Sequence, residues 1–156
     1  MATPCRVAGW AARRFARLAA WAAAVLTVAA CSGALPLATV GPTAALSPAA
    51  LQAELSVLPP GQAAAGQAVF SAVGCVACHS LQPGVRVVGP SLAGVATRAA
   101  SRRPGYSAPL YLYESITRPR AFVVPGFADG LMPPDFKARL KPQDLSDLIA
   151  FLLTEQ

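Results

Sequence analysis

Histidine occurs once in this 156-residue chain, at position 79, and methionine once beyond the initiator, at position 132. Cysteine is found only at positions 5, 31, 75 and 78. A structural zinc site takes four ligands, usually two pairs of Cys or His. Beyond residue 31 only Cys75, Cys78 and His79 are available, so the fourth is missing. No stretch alternates apolar and polar residues with period two, which removes the strands that accompany a thioredoxin-like Cys-x-x-Cys pair. No internal repeat is present. Charge is scarce as well: Asp, Glu, Lys and Arg make up 13% of the chain, and none lies between Arg17 and Glu54. The formal net charge of +6 is concentrated at one end. Arg6, Arg13, Arg14 and Arg17 precede residue 31, leaving nine basic against seven acidic residues beyond it. A charge so placed does not describe a nucleic-acid surface, and no nucleic-acid partner is expected.

What is present begins with a leader. The basic residues 1–17 are followed by the apolar, uncharged run LAAWAAAVLTVAA, from Leu18 to Ala30. A basic n-region and an apolar h-region of this length outline an export signal. The run ends in Val28-Ala29-Ala30-Cys31-Ser32, which resembles a bacterial lipobox with Cys31 as the lipidated residue. A retained membrane helix and simple cleavage after a small residue are the competing readings. A spanning helix needs about 20 apolar residues, and this run meets Gly33 and Pro36 slightly early. Residues 1–31 are therefore expected to be an export signal, lipoprotein leader or membrane anchor. Residues 32–61 are Ala/Pro-rich, with prolines at 36, 42, 48, 59 and 60, and suggest a semi-extended tether. Fully extended, it would reach up to about 100 Å. A short helix from Ser47-Pro48 to about Val57 is compatible with it, as a cap residue followed by proline at the first helical position.

A compact domain is expected over residues 62–156. Gly66, Val69, Phe70 and Val73 follow the i, i+3, i+4, i+7 stripe of an amphipathic helix, closed by Gly74. Leu145, Leu148, Ile149 and Leu152 repeat that spacing after Pro142 and Asp144. Lys141 stands at the cap position of this last helix, where Ser, Thr or Asp would accept an N–H. Ser107-Ala108-Pro109 caps a helix ending before Pro119, with Leu112 and Ile116 on one face. A shorter helix is expected over Ser91 to Ala99. This is an all-α domain of about 95 residues, small enough to need something beyond its own side chains to fold around.

Cys75-Val76-Ala77-Cys78-His79 supplies it. With zinc and thiol redox chemistry set aside, C-x-x-C-H is the attachment motif of a c-type haem: two thioether bonds from the cysteines, and iron bound by the adjacent histidine. The surrounding residues extend the pattern. Gly66…Val69-Phe70…Gly74-Cys75, then Gly89-Pro90-x-Leu92-x-Gly94, then Leu131-Met132-Pro133 and the terminal LSDLIAFLL resemble the class I monohaem c-type cytochromes. The resemblance is closest to haem c domains of respiratory and photosynthetic complexes, and runs from about Gln62 to Leu153. It implies three to five helices wrapped around one covalent haem, with Gly66 and Phe70 of the first helix crossing Leu148 and Phe151 of the last. It also implies the Pro90 carbonyl as acceptor for the second N–H of His79.

A single histidine excludes two-histidine ligation within one chain, and Met132, in the irregular stretch GLMPPDF, is expected as the second axial ligand. Arg98, Tyr106 and Tyr113 are candidate donors to the haem propionates. The expected exchange edge is rimmed by Gly84 to Val88 and the Met132 loop. Val76, Val87, Val88 and Leu131 would exclude water there, and Arg86, Lys137, Arg139 and Lys141 would steer an acidic partner. The resemblance thus implies a one-electron carrier, not an enzyme, working with a quinol-oxidising complex, a terminal oxidase or a photosynthetic reaction centre; the leader adds the expectation that it is exported and membrane-tethered. A haem enzyme or gas sensor whose methionine dissociates, and a purely structural haem subunit, are the alternatives.

Overall fold

The computed structural model describes residues 46–156, and the leader, Cys31 and the first part of the tether lie outside them. The described residues are helical, with no strand among them: α1 (Pro48–Ser56), α2 (Ala63–Ala72), α3 (Val95–Arg102), α4 (Ala108–Thr117), α5 (Phe136–Arg139) and α6 (Pro142–Leu152), plus a 3-10 turn at Cys75–Ala77. Five of the six helices fall within the domain expected at 62–156. No helix among the described residues is long and apolar enough to cross a membrane.

The frame is the crossing of α2 and α6. A Cβ on Gly66 would lie 1.9 Å from the carbonyl oxygen of Asp147, so only glycine permits this approach. One turn on, the rings of Phe70 and Phe151 meet at 5.6 Å, tilted by 55°. Asp147 is buried and accepts from the Gln62 backbone N–H at 2.7 Å, placing a carboxylate at the positive end of α2. Gln62 has no side-chain cap of its own, and Asp147 supplies it from across the crossing. Lys141 gives α6 no side-chain cap either, so α6 is held by its packing, with Leu145, Leu148, Ile149 and Leu152 in the core.

The expected caps are in place at α1 and α4. Ser47 Oγ accepts from Ala50 N at 3.2 Å, and Ser107 Oγ from Leu110 N at 3.4 Å, each with proline in the first turn. α3 starts four residues later than the sequence suggests. Ser91 to Gly94 serve as loop: Leu92 N donates to Ser80 O, Ser91 Oγ donates to Gln82 O, and Gly94 at φ +67° turns the chain into the helix. The four-residue α5 has no periodic signal and was not anticipated.

The tether reading changes at its C-terminal end. α1 is not a free helix on a leash: Leu51 is fully buried in the same core as α4 and α6, with Leu55 and Leu58 packed against it. Residues 48–56 belong to the packed domain. Apolar side chains at Leu51, Leu55 and Leu58 are one-sided enough to dock, and burial in the core outweighs the proline-rich flanks.

Candidate functional site

The site is built from Gly74 onward. Gly74 adopts φ +87°, ends α2, and lets the chain turn at once into the Cys75–Ala77 turn. The amides of Cys78 and His79 both donate to the Cys75 carbonyl, at 3.1 and 2.9 Å. This places both free thiols and the imidazole on one short, rigid turn. Burial pushes the Cys75 thiol above its ordinary pKa. The following loop folds back on the turn. Val88 N and Gly89 N donate to the Cys78 carbonyl at 3.3 and 2.8 Å.

That fold-back fixes the histidine. Nδ1 of His79 lies 2.8 Å from the carbonyl oxygen of Pro90. A carbonyl only accepts, so Nδ1 carries the hydrogen, and the lone pair of the neutral imidazole resides on Nε2. A Cβ on Gly89 would stand 2.5 Å from His79 Cε1, so the ring lies directly against the bare glycine backbone.

His79, Cys75, Cys78 and Met132 line one cleft of about 280 Å³, walled by Phe70, Leu112, Ile116, Phe136 and Leu148. Met132 is half-buried and packs against the core from its loop. Among the described residues no three His, Cys, Asp or Glu side chains converge as a metal-ion cluster. The donor set is instead two thiols on one turn, one imidazole with a free Nε2, and one thioether. That chemistry fits a c-type haem in an apolar slot.

The expected propionate donors divide. The Tyr106 hydroxyl donates to Glu114 at 3.2 Å, and its ring is covered by the Arg103 guanidinium at 4.1 Å. It serves the buried Arg103–Glu114 ion pair, in which Glu114 is only 2% exposed. Tyr113 donates to Glu54 at 2.7 Å. Neither hydroxyl is presented to the cleft, because each donates to a carboxylate: Tyr106 to the buried Glu114, Tyr113 to the partly exposed Glu54. Arg98 does line the cleft, and its two terminal nitrogens donate to the Ser91 and Ala93 carbonyls, bracing the loop after Pro90. Arg102 also lines the cleft and forms no ion pair among the described residues. Its signal in the sequence is the i, i+4 spacing from Arg98 on α3, which puts both on one helix face.

The charges expected to steer partners are largely used internally. Arg86 donates to the Gly126 carbonyl at 2.8 Å and stacks 4.0 Å over Phe127. Lys137 binds Glu54 at 2.8 Å, and Arg139 faces Asp135 at 3.6 Å. The apolar rim is as expected: Val76, Val87 and Leu131 are 51%, 50% and 47% exposed.

Fold and donor set together define a small all-α, haem-binding electron-transfer domain. The family model for cytochrome c matches residues 63–156, and the chain belongs to that family. It is 32% identical over 108 residues to cytochrome c2 of Rhodopila globiformis, covering 62% of this chain and 95% of the relative. It is 33% identical over 107 residues to cytochrome c of Gossypium barbadense, covering 60% of this chain and 90% of the relative. Its cofactor is covalently bound haem c with iron, and its activity is haem-mediated electron transfer.

Proposed function

We propose that this chain is a one-electron carrier in which Cys75 and Cys78 would hold the haem by thioether bonds, and His79 Nε2 and the Met132 sulfur would be the protein's ligands to its iron. The observation that carries this is the 2.8 Å contact from His79 Nδ1 to the Pro90 carbonyl, which leaves Nε2 as the ligating nitrogen in a cleft that Met132 also lines. When bound, the haem supplies an iron that changes oxidation state by one electron. The chain's own residues do the rest. Pro90 fixes the tautomer and orientation of the imidazole. Phe70, Leu112 and Leu148 exclude water from the slot. Arg98 and Arg102 put positive charge on one wall to meet acidic groups of the cofactor. A thioether paired with imidazole would raise the potential of the iron, and with both supplied by the chain a substrate would have to displace one of them to reach it.

Docking falls to the apolar rim of Val76, Val87 and Leu131 more than to charge, since Arg86, Lys137 and Arg139 are partnered within the chain. The leader supports an exported carrier held to the membrane through Cys31, serving a quinol-oxidising complex, a terminal oxidase or a photosynthetic reaction centre. Two acyl chains on a cysteine would give stable anchoring.

The test is Met132→Ala in the holoprotein. The wild type should be low-spin, with a sulfur-to-iron charge-transfer band in the ferric state, and should not bind carbon monoxide when reduced. The variant should lose the band, bind carbon monoxide and have a lower potential. Equal spectra and potentials in both would sink the assignment, and carbon monoxide binding by the wild type would favour a sensor or enzyme. Extraction of denatured protein with acidified organic solvent should leave the haem on the chain. Lipid on residue 31 would appear in the mass of the mature N-terminus, and an intact, unmodified leader would overturn that part.

A further inference from the structure

Residues 118–135, between α4 and α5, carry Met132. Both ends of this loop are held by one carboxylate that lies outside the segment matched to the family. Glu54, on α1, accepts from Arg118 Nη2 at 2.9 and 2.8 Å, from Lys137 Nζ at 2.8 Å and from the Tyr113 hydroxyl at 2.7 Å. Arg118 is the first residue of the loop, and Lys137 stands two residues past its end, in α5. The family match begins only at residue 63. Leu51, fully buried one helical turn before Glu54, fixes α1 and therefore the position of the carboxylate.

From this juxtaposition we infer that Glu54 is a positioning residue for Met132: α1 is a latch whose one carboxylate ties the start of the methionine loop to its end. The inference rests on Met132 being the second axial ligand. An isolated ion pair at this exposure would contribute little. Glu54 instead accepts from three donors at once, two of them cationic, and its side chain is only a third exposed. Networks of charge-assisted hydrogen bonds of this kind hold geometry better than single pairs. Without the latch, the loop keeps Arg120–Asp129 and the Arg86–Gly126 contact, both on the surface. Its two ends would then separate more often, and Met132 would leave the iron more often.

The experiment uses ferric holoprotein mixed with imidazole, whose entry requires the methionine to leave. Glu54→Gln keeps the size of the side chain and removes its charge. It is expected to bind imidazole about tenfold faster than the wild type, in line with losing charged hydrogen bonds. Lys137→Gln cuts only the arm to α5 and should give an intermediate rate. Ile149→Val lowers stability from α6, which shares no hydrogen bond with the loop, and should bind at the wild-type rate. Wild-type rates in both Glu54→Gln and Lys137→Gln would overturn the latch, as would an equal acceleration in Ile149→Val. A wild-type ferric spectrum without the sulfur-to-iron band would overturn the Met132 assignment itself, and the latch with it. The rate outcomes leave that assignment standing.

Discussion

The two sides of the cleft are held by different means. On the histidine side, residues 75–94 are held through their own backbone: the Cys78 and Ser80 carbonyls accept from the backbone N–H groups of Val88, Gly89 and Leu92, and the Pro90 carbonyl accepts from the His79 ring. On the methionine side, residues 118–135 have few such bonds, and side chains do the work: Glu54 from α1, Asp129 to Arg120, Arg86 to Gly126. The pair Arg103–Glu114 adds support through Phe122, whose ring lies 5.8 Å from the Arg103 guanidinium. A side chain held by local backbone bonds keeps its place unless the domain unfolds. A loop held by remote ion pairs opens when those pairs are weakened. The asymmetry predicts that perturbations on one side are global and on the other local.

Gly89→Ala is the strongest way to break this contrast. The new Cβ would be driven into the His79 ring, which is held in place by its hydrogen bond to the Pro90 carbonyl. Overpacking of this kind costs about 1–3 kcal/mol, and should appear as a fall in thermal midpoint with a disturbed histidine environment in the NMR spectrum. An unchanged midpoint would show that the histidine side is softer than its hydrogen bonds indicate.

Acid should act on the methionine side first. The Lys137 ammonium, the Tyr113 hydroxyl and the Arg118 guanidinium around Glu54 lower its pKa from 4.5 to about 2, against the opposing effect of burial. A depressed carboxylate stabilises fully above its ordinary value, and that stabilisation disappears as pH falls from about 4.5 toward 2. The ferric sulfur-to-iron band should therefore weaken across this window before helical circular dichroism does. Burial and the Glu54 hydrogen bond push Tyr113 up to about 12, so its neutral, donating form persists on the alkaline side until near that pH. Loss of both signals together in acid would erase the predicted difference.

Arg86→Ala should have a smaller effect. It removes a surface cation–π contact of about 0.5–1 kcal/mol and one link between the loop after His79 and the loop carrying Met132. A small loss of stability in denaturant and a modestly faster imidazole entry are expected. The smallest effect should come from salt. With most cations near the rim engaged internally, association with a redox partner should slow only slightly as ionic strength rises from 0.01 to 0.15 M. A steep dependence would show that the net field, and not the apolar rim, governs docking.

The same contrast decides what the sequence revealed. The C-x-x-C-H turn, Gly74 and the α2 and α6 stripes are short-range patterns, and each has its structural counterpart. The Ser47 and Ser107 caps were visible for the same reason: a cap bonds three residues ahead. Contacts that escaped the sequence are long-range. Glu54 meets Arg118 and Lys137 across 64 and 83 positions, and nothing in the spacing of isolated charges selects those partners. Tyr106 and Tyr113 are candidate propionate donors in the sequence because a phenol can donate to an acidic group of the cofactor. Glu114 and Glu54 are stronger acceptors already inside the protein. The start of α3 at Val95 lies beyond what periodicity registers, because the turn at Gly94 depends on carbonyls of the preceding loop.

Docking of α1 also changes how often the domain would meet its partners. With residues 48–56 part of the folded body, the proposed anchor at Cys31 would be separated from that body by residues 32–47 alone. That span reaches about 55 Å when extended, roughly half the length expected when the whole segment to Gly61 was counted. The concentration of a tethered module at a nearby target rises as its linker shortens, approximately as the −3/2 power of length. Halving the linker therefore gives roughly a two- to threefold more concentrated electron carrier at targets within reach. Beyond that radius the concentration drops to zero, so under the proposed anchoring the docked helix would set which neighbours the carrier could serve.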